Sequence, residues 1–194
     1  NTMAGKFGMN NANLNIPGVT VAPSQYTVPP SMADTAFSAI GQFDDTASPL
    51  QEAMFSAAIA NNGTLMKPYL IQQVTASDLS VVGSAQTSVL SQPVTPTVAS
   101  YEKQMMVAVV QQGTASAFNA GVEGIQIAGK TGTAQNNLNG VSANPDAVFT
   151  AFAPADNPKI AVGVMIQGGG YGATAAAPIA VAVIKAYLAA TEQG

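Results

Sequence analysis

Cysteine, histidine, arginine and tryptophan are all missing from these 194 residues, and each absence closes a line of chemistry. Without cysteine there is neither a thiol nucleophile nor a disulfide. Without histidine as well, the common zinc ligand sets and the usual Ser-His-Asp arrangement are excluded. A base in this chain has to be Lys, Asp, Glu or Tyr, and no metal or cofactor is expected. Charge is scarce too, at 8% of residues with a net charge of −4. Nothing is present to neutralise a phosphate backbone, so nucleic acid is not an expected partner. The hydrophobic share is 47%, so the polar surface has to come largely from Ser, Thr, Asn, Gln and the backbone. No apolar run approaches the roughly 18 residues of a membrane span, and no charged-then-apolar leader follows Asn1. The length suits one domain with a sizeable core. The first residues read as the middle of an element, so the chain is expected to be part of something longer.

What is there is well punctuated. Met3, Phe7 and Gly8 are spaced as the last turns of a helix, followed by an Asn-rich loop over residues 10–15. Prolines at 17, 23, 29 and 30 among Val, Tyr and Phe suggest a long loop over residues 17–45, packed on the surface of something else. Ser48-Pro49-Leu50-Gln51 is a helix start with a cap, a preorganised first residue and a Gln able to reach back in a capping box. That helix carries Leu50, Met54, Ala57 and Ala58 on one stripe and stops at Asn61-Asn62-Gly63. Residues 69–75 are strand-like, and residues 77–96 form a polar excursion with β-prone pieces at Val81-Val82 and Val89-Leu90. Thr95-Pro96 opens a second helix to about Gln112, with Val98, Tyr101, Met105, Ala108 and Val109 as its apolar face. A strand over residues 148–153, a turn at Pro154-Ala155-Asp156-Asn157-Pro158 and a strand over residues 159–166 predict a hairpin. A final helix from about Pro178 would cover the sheet with Ile179, Val183, Ala186, Tyr187 and Ala190.

The most informative stretch is Gly129-Lys130-Thr131-Gly132-Thr133-Ala134-Gln135. Ile125 and Ile127 alternate with Gln126 and Ala128, a period of two that suits a half-buried strand. Gly129 and Gly132 would leave one backbone edge bare, along which a substrate's main chain could lie as an added strand. Lys130 supplies positive charge beside that edge, and the hydroxyls of Thr131 and Thr133 are donors suited to a carboxylate. A backbone N–H just after Gly132 could stabilise an oxyanion if a nucleophile sat opposite.

An ordered series of such segments resembles the C-terminal part of the transpeptidase domain of class B-like penicillin-binding proteins, particularly the actinobacterial penicillin-binding protein A type. It comprises Ile40-Gly41-Gln42, Ser48-Pro49-Leu50-Gln51, residues 58–69, residues 105–114, residues 128–135 and Phe149-Thr150-Ala151-Phe152-Ala153-Pro154. Lys-Thr-Gly is the last of three elements in that family's site, after a Ser-x-x-Lys and a Ser-x-Asn that are not where the family places them. The resemblance implies an α/β (α+β) fold with an antiparallel sheet flanked by helices, as in serine β-lactamases, incomplete in this chain. Residues 1–194 would be the C-terminal portion of one transpeptidase domain: a helix end and long loop at 1–47, helices and the polar excursion at 48–114, and strand, hairpin and last helix at 115–194. Lys130 and Thr131 match the motif that shapes the site's electrostatics and contacts the substrate carboxylate. Thr133 matches the position whose N–H completes the oxyanion hole, and Gly132 the bare position that permits close approach. The implied partners are a peptidoglycan stem peptide ending in D-Ala-D-Ala, β-lactams, and the missing N-terminal part of the same domain, at the extracytoplasmic face of a bacterial membrane.

Two further matches mislead. Ser100-Tyr101-Glu102-Lys103 spells Ser-x-x-Lys on a helix, and Ser142-Ala143-Asn144 spells Ser-x-Asn, but the first falls on a solvated helix face and the second in a turn after the lysine motif. Asp44-Asp45 and Asp156 read as solvated turn carboxylates. The chain is thus expected to hold the Lys-Thr-Gly strand of an acyl-serine enzyme and no nucleophile. The alternatives are a noncatalytic penicillin-recognising domain and a bacterial surface module.

Overall fold

The computed structural model describes residues 2–11, 14, 16–116, 124–135, 137–138 and 141–191. In chain order these form α1 (Thr2–Lys6), α2 (Met32–Ser38), α3 (Pro49–Ala60), β1 (Leu65–Met66), β2 (Gln73–Thr75), β3 (Val81–Ser84), β4 (Val89–Ser91), α4 (Pro96–Gln111), β5 (Ala128–Ala134), β6 (Asn137–Leu138), β7 (Val141–Ser142), β8 (Asp146–Ala153), β9 (Ile160–Ile166) and α5 (Gly172–Thr191). The centre is an antiparallel sheet in the order β5-β8-β9, which sets Lys130 opposite Thr150 and Thr150 opposite Gly163. Alternate residues therefore serve two cores. Ala147, Phe149, Ala151 and Ala153 face α5 through Ala176, Ala177, Ala180 and Ile184. Ala128 and Phe152 on the other face meet Ile59 of α3 and Met106 of α4. The expected antiparallel sheet flanked by helices is the architecture found, and the β8–β9 hairpin falls where its turn residues put it.

Helix starts follow the capping chemistry. The Ser48 hydroxyl accepts from the Gln51 amide at 3.2 Å and the Thr95 hydroxyl from the Val98 amide at 3.3 Å. Asn62 and Gly63 close α3 with φ of 52° and 84°, the left-handed stop that the sequence suggests. The reciprocal half of the capping box does not form. Gln51 is buried and sends its side-chain amide to the Phe7 carbonyl at 2.8 Å, while the Ser48 amide is satisfied by the Ser24 hydroxyl at 2.9 Å.

Other expectations are corrected. The long loop contains α2, capped by Ser31, whose hydroxyl accepts from the Asp34 amide at 3.1 Å; a Ser-x-x-Asp pair makes this start locally stable. Only Gln73–Thr75 of the strand-like run over residues 69–75 is strand, paired with β3 through a register shift between Val74 and Thr75. Helix α4 buries Ala99, Met106 and Val110, and the face read as core is turned outward, with Val98 47% and Met105 57% exposed. Helix α5 begins at Gly172, carries Pro178 inside, and buries Ala176, Ala177, Ala180, Val181, Ile184 and Leu188 rather than the stripe of Ile179, Val183 and Tyr187. At 20 residues and a mean hydropathy of 1.7 it is long and apolar enough to cross a membrane by those measures, which a start at Pro178 had hidden. Here its inner face covers the sheet. Residues 12, 13 and 15 of the Asn-rich loop lie outside the described residues.

Candidate active site

Among the described residues strand β5 is an edge strand: β8 pairs with one side of it and no strand with the other. In an antiparallel ladder, successive residues turn their N–H and C=O alternately toward the partner and away from it. The register from Ala128↔Phe152 to Ala134↔Asp146 is unbroken, so the alternation runs the length of the strand. Its phase is set by two side chains. Gln42 Nε2 donates to the Thr133 carbonyl at 3.1 Å, and Lys130 Nζ donates to the Thr131 carbonyl. Both carbonyls are thus on the free edge, and the N–H groups of Thr131 and Thr133 point the same way. This is the bare edge expected from the motif, with the Thr133 N–H on it.

The two motif glycines have a packing reason as well. A Cβ on Gly129 would sit 2.6 Å from Phe149 Cζ, and one on Gly132 would sit 3.1 Å from Val148 Cβ. Behind them the first residue of α5 presses on the same strands, since a Cβ on Gly172 would lie 2.4 Å from the Gly132 carbonyl oxygen and 2.1 Å from that of Val148. The edge is seated by backbone-to-backbone contact.

Lys130, Thr131, Gly132 and Thr133 line a cleft of about 460 Å³ together with Gln42, Asp45, Glu52 and Phe55. Lys130 is exposed. Thr131 Oγ1 is 2.7 Å from Thr114 Oγ1, which holds that side chain at the end of the α4 turn. Beneath Lys130, Thr150 Oγ1 donates to the Glu52 carbonyl at 2.6 Å. Its one proton is then spent, so the buried Ser56 hydroxyl, 2.6 Å away, is the donor to Thr150. The Glu52 carboxyl is pushed up to about 6 by burial. A second, apolar cleft of about 630 Å³ is lined by Met3, Phe7, Phe55, Val98 and Met105 and meets the first at Lys130 and Thr150.

All four candidate residues are thus brought to one edge. The decoys are not there: Ser100 is exposed and Lys103 half-buried on α4, and neither lines either cleft. Asn144 follows the short β6–β7 ladder and is exposed, and the side chain of Ser142 lies outside the described residues. Asp156 is exposed. Asp45 is not simply solvated, since it accepts from the Ser38 hydroxyl at 2.7 Å and the Thr27 amide at 3.2 Å. Sequence reasoning missed Gln42, Glu52 and Thr150. The nearest signal was that Ile40-Gly41-Gln42 and Phe149-Thr150 lie in segments that carry the resemblance.

Comparison with known proteins bears on this geometry directly. The chain is 37% identical over 191 residues to the peptidoglycan D,D-transpeptidase PbpA of Mycolicibacterium smegmatis, covering 96% of this chain and 38% of that protein. It superposes on the crystal structure of PBPA from Mycobacterium tuberculosis with a TM-score of 0.88 and 35% identity, over 96% of this chain and 45% of that one. A penicillin G acyl-enzyme complex of M. tuberculosis penicillin-binding protein A gives a TM-score of 0.84 at 35% identity, covering 96% of this chain and 42% of that one. The chain therefore spans less than half the length of these relatives. The penicillin binding protein transpeptidase domain family matches residues 1–185, a range that includes the whole β5 edge and most of the helix behind it. By that match the chain belongs to the penicillin-binding protein transpeptidase family.

Proposed function

We propose that the chain works as the C-terminal part of a D,D-transpeptidase that cross-links peptidoglycan through an acyl-serine intermediate and is acylated by β-lactams. The observation that carries this is the free edge of β5, where Lys130 and the outward N–H and C=O groups of Thr131 and Thr133 line one cleft. A stem peptide ending in D-Ala-D-Ala adds along that edge as a strand. Lys130 and the Thr131 and Thr133 hydroxyls hold its terminal carboxylate. A serine supplied by the N-terminal part of the same domain attacks the penultimate carbonyl. The Thr133 N–H stabilises the oxyanion, D-alanine departs as the amine, and an acceptor amine then takes the acyl group from the serine. That N-terminal part covers the apolar cleft at Val98 and Met105, which is otherwise open. The whole works at the extracytoplasmic face of the membrane.

The test is intact mass after exposure to penicillin G, on this chain and on the longer protein. One drug mass on the longer protein alone is expected, with acylation of its Lys130→Ala variant slowed by roughly 10- to 100-fold, as for loss of a charged hydrogen bond to the ligand's carboxylate. An adduct on this chain at Ser100, or no adduct on either, overturns the assignment.

A further inference from the structure

The edge along which a peptide would add is already occupied at one position by the chain itself. The Gln42 side-chain amide sits on the Thr133 carbonyl at 3.1 Å, where the backbone N–H of an added strand would donate. A primary amide is a close chemical copy of that N–H. Gln42 is carried by a short strap after α2, between Gly41 at φ 76° and Phe43 at φ 72°. Phe43 holds a left-handed conformation that is strained for a residue with a side chain. Ile40 beside it is 72% exposed, so little packing holds the strap down at that point. Its own ties are local: the Gly41 amide to the Ser38 carbonyl at 3.0 Å and the Gln42 amide to the Phe37 carbonyl at 3.0 Å. The next anchor is Asp45, held by Ser38 and Thr27.

We propose that Gln42 is a latch on the substrate edge: it satisfies the Thr133 carbonyl while the cleft is empty and yields that carbonyl to the amide N–H of an incoming acyl donor. This rests on the transpeptidase reading of the same edge and adds a selection rule to it. A ligand that brings an amide N–H to Thr133 exchanges one hydrogen bond for another. A ligand that displaces Gln42 without one leaves the carbonyl unsatisfied, a cost of the same kind as any orphaned acceptor. The class of ligand favoured is therefore a peptide or acylamino compound with a donor N–H at that point.

The test is the second-order constant for acylation by penicillin G, whose side chain carries such an amide, in the longer protein with Gln42→Ala and Gln42→Leu. Without the bond to be broken, both variants should acylate about 2- to 10-fold faster, the factor for one net hydrogen bond. A structural prop would give the opposite sign, and an unchanged or lowered constant in both variants overturns the proposal. A crystal structure of the penicillin G adduct of the unsubstituted protein gives an independent reading. The latch predicts the Gln42 amide beyond about 3.5 Å from the Thr133 carbonyl with a ligand N–H in its place. Gln42 still seated on Thr133 overturns it. Absence of any adduct in the unsubstituted protein would instead count against the transpeptidase reading, so the two failures are distinct.

Discussion

Replacing Gly172 with Ala should damage the candidate site from behind, through a residue that does not itself line the cleft. Gly172 opens α5 where the helix meets the paired positions Gly132 and Val148. An added Cβ would fall 2.1 Å from the Val148 carbonyl oxygen, 2.4 Å from that of Gly132 and 3.1 Å from the Gly132 nitrogen. All three are backbone atoms of hydrogen-bonded strands and cannot swing away as a side chain would. Relief to ordinary contact requires more than an ångström of displacement of α5 or of β5 and β8. Overpacking of this kind costs roughly 3 kcal/mol. With a urea m-value of about 2–3 kcal/mol/M, the unfolding midpoint of the longer protein should fall by roughly 1 M or more. If β5 is what yields, the Thr133 N–H moves with it, and misplacement by about an ångström can cost on the order of 100-fold in acylation by penicillin G. Gly5→Ala is the control, because nothing lies within 4 Å of its Cβ position and it sits inside α1. It should be neutral or stabilising by about 0.5–1 kcal/mol. A Gly172→Ala protein with an unshifted midpoint and an unchanged acylation constant would refute the close-packing argument.

Stability should also depend on Glu52. Its folded-state pKa of about 6 lies above the ordinary 4.5, so the folded state holds more protons than the unfolded one in that interval. Stability therefore falls as pH rises from about 4.5 through 6, by about 2 kcal/mol in all, and Glu52→Gln should remove that slope and stabilise at pH 7. Urea titrations at pH 4.5 and 7 check this, and equal slopes in both proteins would contradict it. The hydroxyl pair beneath Lys130 predicts an asymmetry. Ser56→Ala removes one donor and should cost about 1 kcal/mol, whereas Thr150→Val leaves the buried Ser56 hydroxyl without its acceptor and should cost about 1–3 kcal/mol. Equal losses would mean that the proton order is not Ser56 to Thr150 to the Glu52 carbonyl.

Local chemistry was legible in the sequence wherever the residues act within one turn. Ser48-Pro49, Thr95-Pro96 and Asn62-Gly63 do what their capping and left-handed preferences require, and the same rule applied to Ser31 and Asp34 would have found α2. Choosing the buried face of a helix was not possible from periodicity, because α4 and α5 carry apolar residues on more than one stripe. Close approach decides instead. Helix α5 turns Ala176, Ala177 and Ala180 inward, since the sheet already presents Phe149 there, and leaves its bulkier stripe of Ile179, Val183 and Tyr187 half-exposed. Helix α4 does the same with Ala99. The β5 edge could be read from Lys130 to Thr133 because the motif is contiguous. Gln42 could not be placed, since it reaches Thr133 across 91 residues of chain, nor could the contact between Thr150 and Glu52 across 98.

The scarcity of charge and the density of glycine at the site have one physical explanation. On the proposed reading, a cleft with a single lysine on its strand can pair with only one charge of an extended substrate, so further discrimination would come from backbone hydrogen bonds along β5. Such bonds are directional, and they select only if the edge that offers them is stiff. Stiffness here comes from glycines that bring backbones and ring edges into contact. Gly129 admits Phe149, Gly172 admits the carbonyls of Gly132 and Val148, and Gly163 admits the first turn of α3, where a Cβ would lie 2.3 Å from the Pro49 carbonyl oxygen. The strap bearing Gln42 is the opposite case, with an exposed Ile40 and a left-handed Phe43 in place of buried contacts. A rigid edge beside a weakly held amide is the arrangement in which a substrate's own amide can compete on equal terms.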